Sequence, residues 1–393
     1  MKSLFVNICF ALALAAPAIA SNAATKVIET FNYVVGTQTF GARYKFTEQP
    51  KIVETAQAIL DMGSNILKFG MSDRYSGDLG NVPTALDSVK SLTDLAKNEP
   101  AHKKVLDMPF AYYIIWVYPF APCNWYDGMS EEEKNSQYKE MYQFVCYLLQ
   151  TYNGSGKTFY LGHWEGDWHL RPTYDMKSTI SDTAVQGMIG WLNIRQKAVD
   201  DAKRDTKHKN VQVYNYTEVN LVKIGMDGAG CLTNSVLPKT NVDYVSYSSY
   251  DTEWDTTQLK AALSYIESKL TPKTSIKGKR VFIGEYGFPA SSSSPEKQAS
   301  QSNTVMQAGL EWGCPFVLYW EMYNNEEKAV TGNSGFWMID DKGEKQPVYY
   351  LHKKFYEWAK GYTADISKRT GKLPSAFGFG KAGAKFLKDL QSH

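Results

Sequence analysis

Two glutamates stand where a β-forming run gives way to glycine and aromatics: Glu165 in Tyr160-Leu-Gly-His-Trp-Glu-Gly-Asp-Trp168, and Glu285 in Val281-Phe-Ile-Gly-Glu-Tyr-Gly-Phe-Pro289. Short apolar runs rich in β-formers suit buried strands, so each carboxyl would sit where a strand opens into a loop. Two carboxyl groups held in this way can cleave an acetal: one protonates the leaving oxygen while the other, about 5 Å away, attacks the anomeric carbon. The chemistry needs one group protonated and the other ionised at the same pH, which calls for different surroundings. Glu165, between Trp164 and Trp168, has the more apolar neighbourhood and suits the acid/base. Glu285, with tyrosines and Lys68 as candidate neighbours, suits the anionic nucleophile. The alternative is that each Glu caps a helix or closes a surface ion pair. Glu218, Glu321 and Asp251 also lie near expected strand ends, and Glu321 or Glu218 would be the first substitute for either role.

A metal site competes for the same segment, because His163, Glu165, Asp167 and His169 fall within a few residues of one another. Metal-dependent barrel hydrolases gather histidines from several strands, often beginning with a His-x-His at the first. The run Phe40-Gly-Ala-Arg-Tyr44 has none, and the whole chain holds only 6 His. The expectation is therefore chemistry with no metal and no cofactor.

The elements that must position these groups alternate. Strands are expected over Phe40–Tyr44, Asn65–Phe69, Phe110–Val117, Thr158–Trp164, Val211–Tyr216, Val242–Ser248, Val281–Gly284 and Phe316–Trp320. Helical patterns lie between them at Gln49–Met62, Ala85–Asn98, Glu131–Tyr152, Thr183–Asp205, Thr256–Leu270 and Pro295–Trp312, with another at Val348–Gly361. Alternation of this kind implies a parallel sheet, and eight strands with their crossovers close as an α/β (β/α)8 TIM barrel. An open doubly wound sheet would show a glycine-rich phosphate loop after its first strand, and none is present.

At 393 residues, 43% hydrophobic and 21% charged, the chain can bury a large core on its own. A formal charge of +2 gives no basis for a polyanionic partner, so nucleic acid is not expected. The 10 Trp and 26 Tyr lean towards carbohydrate, whose apolar ring faces stack on aromatic planes. Lys2 followed by a short apolar stretch and the small-residue sites Ala18-Ile19-Ala20 and Ser21-Asn22-Ala23 marks residues 1–24 as a signal peptide. No later run is long enough to span a membrane. The expected product is secreted or periplasmic, with no membrane attachment after leader removal. In that compartment Cys123 and Cys146 are expected to pair, while Cys231 and Cys314 suit buried thiols. The barrel is expected over residues 25–362. Residues 363–393 read as an appendage, with a loop at Ser367–Pro374 and a short helix at Ala382–Leu390.

With Glu165 closing the fourth expected strand and Glu285 the seventh, the chain resembles the clan A retaining glycoside hydrolases over roughly residues 30 to 360. The resemblance implies a glycosidase acting on a poly- or oligosaccharide, with Glu165 as acid/base and Glu285 as nucleophile. The context Gly284-Glu285-Tyr286-Gly287 matches the family well, whereas Trp164 stands where the family places Asn. His163, Asp167 or a residue from another strand would then grip the sugar in place of that Asn, with Trp164 itself a further candidate contact. Tyr247, or equally Tyr250, takes the place of the family's tyrosine bonded to the nucleophile. Trp320, in Leu318-Tyr-Trp-Glu-Met-Tyr-Asn-Asn325, matches the aromatic floor, with Asn325 beyond it, and Lys68 stands where the family often has Arg. The remaining alternatives are a catalytically inactive sugar-binding barrel and a metal-dependent barrel hydrolase.

Overall fold

The computed structural model describes residues 29–80, 87–326 and 335–392; the expected signal peptide lies outside the described residues. Eight parallel strands close into a barrel in sequence order: β1 Val35–Gln38, β2 Ile66–Met71, β3 Tyr112–Val117, β4 Thr158–Gly162, β5 Gln212–Val219, β6 Tyr244–Ser248, β7 Val281–Tyr286 and β8 Val317–Tyr319. Side chains alternate across each strand. Ile66, Ile114, Tyr160, Tyr216, Phe282 and Leu318 form one cluster inside the barrel. Leu67, Tyr113, Leu161, Val213, Ile283 and Val317 join the larger core between strands and helices. Glycines make room where ring and barrel wall would collide: a Cβ on Gly162 would lie 2.3 Å from the Tyr216 ring.

The helices follow the expected order. Glu131–Thr151 begins with a capping box in which Ser130 and Glu133 satisfy each other's backbone N–H groups. Lys51–Met62, Asp182–Asp205, Thr256–Lys269 and Pro295–Trp312 complete most of the crossovers.

Three expectations are corrected. The first strand is Val35–Gln38 rather than Phe40–Tyr44. Residues 40–44 instead turn at Gly41, which has φ +50°, and carry Phe40 over the barrel mouth. The Cys123–Cys146 bridge is absent, and both thiols are free. Asn124 N–H donates to Glu133 Oε1 (2.8 Å), which ties Cys123 to the first turn of the helix on which Cys146 lies thirteen residues further along. That separation is about 20 Å at 1.5 Å per residue, far beyond the reach of a disulfide. Finally, the chain beyond residue 362 is more ordered than its pattern suggested. One helix runs from Pro347 to Thr370 and a second from Ala376 to Gln391. Phe379 and Leu387 of the second are fully buried, and Asn303 Nδ2 donates to the Leu387 carbonyl (3.1 Å). Gly380 permits this approach, since a Cβ there would lie 2.7 Å from the Leu310 carbonyl oxygen.

Candidate active site at the carboxyl ends of the strands

Lys68 is the organising residue. Its phase on β2, two after Ile66, turns it into the barrel, where it is fully buried. The ammonium has three N–H groups and three oxygen partners, each at 3.0 Å: Glu285 Oε1, Glu218 Oε2 and the Gly284 carbonyl. It also lies 4.4 Å from the centroid of the Trp116 ring, whose face adds a cation–π attraction. One cation therefore serves two carboxylates from β5 and β7.

Glu218 belongs to this centre more deeply than its place as a substitute suggested. It stands two residues after Tyr216 and points into the barrel in the same phase. Its Oε2 also accepts from Ser246 Oγ (2.6 Å), and its Oε1 accepts the backbone N–H of Glu165 (3.1 Å). The three chains meet only because residue 284 is glycine: a Cβ there would lie 1.7 Å from Ser246 Oγ and 3.2 Å from Glu218 Oε2. The alternation on β5 carries the signal that Glu218 faces inward. The ion pair with Lys68 across the barrel leaves no trace in the local sequence.

Glu285 reaches the interior through a break in the strand pattern. Phe282 and Gly284 face inward, so strict alternation would send Glu285 towards the helices. The register of β7 shifts against both neighbours, between Tyr247 and Ser248 on one side and between Ile283 and Tyr286 on the other. An irregularity of this kind re-aims a side chain. Besides Lys68, Glu285 accepts a long hydrogen bond from the Tyr250 hydroxyl (3.4 Å). Burial pushes its carboxyl up to about 7; Lys68 opposes that rise and the charge of Glu218 adds to it.

Glu165 follows β4 and Trp164, and its carboxyl accepts from the Trp168 indole N–H at 2.7 Å. Burial pushes it well above the usual carboxylate range, and the charges of Glu285 and Glu218 push the same way. Lys68 is in direct contact with Glu285 and not with Glu165, so Glu285 ionises first. Burial raises both carboxyls, and only Glu285 has the Lys68 ammonium bonded to it to oppose the rise, so the two surroundings differ in the sense that separate acid and nucleophile roles need.

The other expected site residues separate. Trp320 joins Phe40 and Trp116 in an aromatic wall, with Phe40 stacked on Trp116 at 3.9 Å and on Trp320 at 5.7 Å between ring centroids. Trp164 is half-buried at the mouth, its backbone N–H donating to the Tyr118 hydroxyl (2.9 Å). Tyr247 is turned away: its fully buried hydroxyl pairs with Asp251 and Thr252 on the outer side of β6, and Tyr250 is the tyrosine that reaches Glu285. The cause is phase, since Tyr244 and Ser246 face inward and Tyr247 faces out. His163 is outward for the same reason, bonded to Thr217 Oγ1 (2.7 Å) and the Trp164 carbonyl (2.9 Å) against Trp191. Burial keeps its imidazole neutral, pushing it well below the usual histidine range. Asn325 engages through its backbone, donating to Glu321 Oε1 (2.9 Å) and accepting from Arg43 Nε (2.8 Å). Glu321 itself is fully buried, with burial pushing its carboxyl far up. Asp167 accepts backbone N–H groups of Asn220, Leu221 and Leu232, so it anchors loops rather than facing His163 or His169. Among the described residues no cluster of three or more His, Cys, Asp or Glu is arranged to hold a metal ion.

No family model and no curated protein sequence matches the chain. Solved structures do. A GH5_18 from Bifidobacterium longum subsp. longum superposes with a TM-score of 0.56 at 12% identity, over 88% of this chain and 81% of that one. A GH5_18 from Bifidobacterium longum subsp. infantis gives 0.55 at 11% identity, over 82% and 78%. A family 39 glycoside hydrolase from the gut symbiont Bacteroides cellulosilyticus WH2 gives 0.51 at 12% identity, over 84% and 64%. At these identities the likeness is one of fold: the chain has the (β/α)8 barrel of these glycoside hydrolases.

Proposed function

We propose that the protein is an exported retaining glycosidase that acts on a poly- or oligosaccharide. The observation that carries this is the pair of carboxyls at the ends of β4 and β7, one bonded to the Lys68 ammonium and the other buried against the Trp168 indole, where burial favours its neutral form. In the first step Glu285 attacks the anomeric carbon as the bond to the leaving oxygen breaks, and that oxygen takes the Glu165 proton. In the second, Glu165 removes a proton from water, which attacks the same carbon and releases Glu285 from its ester. Two displacements preserve configuration. Support for a carbohydrate ligand comes from the aromatic wall and from fold neighbours: GH5_18 structures from Streptomyces cattleya and Bifidobacterium longum subsp. longum hold Manb1-4GlcNAc.

Activity should first appear in a screen of aryl glycosides and polysaccharides, and the stereochemistry then tests the mechanism. Proton NMR of the initial product, before mutarotation, should show the anomer of the substrate. An inverted first product would overturn retention. Export carries its own test: produced with residues 1–24 in a secretion-competent host, the protein should be recovered outside the cytoplasm with a new N-terminus near residues 21 to 25. Recovery only in the cytoplasm with Met1 intact would refute it.

A further inference from the structure

The loop after β4 carries aromatic surface that the two-glutamate mechanism does not use. Trp168 hydrogen-bonds the Glu165 carboxyl through its indole N–H, and its ring also lines a cavity of about 250 Å³ with Asn124, Trp125, Tyr126, His169 and Arg171. Tyr174 adjoins Trp168 beyond the lining of that cavity. It is 77% exposed, yet its ring lies 5.9 Å from Trp168 and 6.4 Å from Trp164 between centroids. Trp125 is fixed from behind by stacking on the buried Trp191 at 4.3 Å. Half-buried indoles backed by core packing and an exposed phenol held at the rim form a rigid, amphipathic surface rather than a hydrophobic seam. Aromatic groups of this kind supply contact area at low entropy cost, and polar groups around them fix orientation.

We propose that this shelf is the binding site for the leaving-group sugar, with Tyr174 stacking on its pyranose ring, Trp168 bounding it at a steep angle, and Asn124 and Tyr126 around its hydroxyls. The assignment of side rests on the glycosidase reading. The group that departs must pass beside the carboxyl that protonates it, and Trp168 touches that carboxyl. A sugar bound against Trp168 is therefore on the leaving side of the scissile bond and not on the side retained by Glu285. The substrate class follows: the bond cleaved joins sugar to sugar, and a leaving group as small as fluoride would leave the shelf empty.

The test compares two substrates in one protein. Wild type and Tyr174→Ala are assayed on a glycosyl fluoride and on an unlabelled oligosaccharide of the same glycone, whichever the screen identifies. Tyr174→Ala should lower the ratio of kcat/KM for oligosaccharide over glycosyl fluoride by about tenfold, the scale of one lost stacking contact. Phe377→Ala serves as control, because Phe377 is also exposed, at 71%, but lies on the C-terminal helix; it should leave the ratio unchanged. An unchanged ratio in Tyr174→Ala, or an equal fall on both substrates, overturns the shelf while leaving the glycosidase in place. Failure of wild type on every glycoside overturns both. Tyr174→Phe adds a readout specific to stacking: it should restore the ratio, and failure to do so would show that the hydroxyl, not the ring face, is what matters.

Discussion

Glu285→Ala and Glu165→Ala should each lower kcat/KM on an unactivated oligosaccharide by on the order of 10³-fold or more, and the two should then respond differently to azide. The expected loss is chemical and not a failure to fold. Lys68 serves Glu218 as well as Glu285, so removing Glu285 leaves a one-to-one buried ion pair in place of one cation between two carboxylates. Glu165 is held by its backbone N–H to Glu218, which alanine retains, and by the indole of Trp168, which alanine frees. Circular dichroism should therefore show the folded barrel in both. On an aryl glycoside with a good leaving group, Glu165→Ala should keep much of its first step, because little protonation is needed there. Its second step should be slow, since no base activates water. Azide needs no base and should accelerate release, giving a glycosyl azide of retained configuration. Glu285→Ala lacks the nucleophile, so azide can attack only from the vacated side and should give an inverted product. The reverse pattern would exchange the roles. Full activity in either variant would move the search to Glu218, which is already bonded to the backbone of Glu165 and the ammonium of Lys68.

Strand order was legible because parallel strands covered on both faces become apolar runs with helical patterns between them. Phe40–Tyr44 shows where that signal misleads. Its residue types suit a strand, but β1 is Val35–Gln38, with Gly36 at an inward position where a Cβ would lie 2.8 Å from Leu318. A glycine needed for barrel closure looks like a strand breaker until its neighbours across the barrel are known. That Glu165 follows β4 and Glu285 lies at the end of β7, and that Lys68 lies within reach of Glu285, was legible from the strand pattern. Tyr247, with Tyr250 as its equal, came from the family resemblance and His163 as a stand-in for the family's Asn, although the period of two already placed Tyr247 and His163 outside. On β6, Tyr244 and Ser246 point in, so Tyr247 points out; on β4, Tyr160 and Gly162 point in, so His163 points out. Glu285 is the opposite case. Alternation taken alone would have turned it out as well, and only the register shift against β6 and β8 brings it in. That shift depends on cross-strand pairing, for which no residue of β7 carries a local signature. The bridge between Cys123 and Cys146 failed for a similar reason: closeness in sequence across a loop became length along a helix.

Lys68→Met should move the acid limb of kcat/KM to higher pH and lower its maximum by on the order of 10²-fold. The limb for free enzyme reports the ionisation of the nucleophile. In the native protein burial pushes Glu285 up to about 7 in spite of Lys68, so the limb should lie near neutrality. The cation at 3.0 Å favours the charged carboxylate; removing it favours the neutral acid, and the pKa of Glu285 must rise. Activity at pH 6 should therefore fall further than activity at pH 8. The same change leaves Glu285 buried next to the Glu218 charge with no counter-charge, which favours a proton on Glu285. The variant should accordingly lose stability as pH rises. Glu285 would have a folded-state pKa still further above its unfolded value, so the folded state binds more protons than the unfolded one, and stability falls through that window. Lys68→Arg separates charge from fit. It keeps the cation but must fit a larger head against Trp116 and Phe40, so it should retain the limb near its native position while losing maximum rate. An acid limb that stays in place in Lys68→Met would show that Lys68 does not set the ionisation of Glu285, and that its role is confined to holding β2, β5 and β7 together.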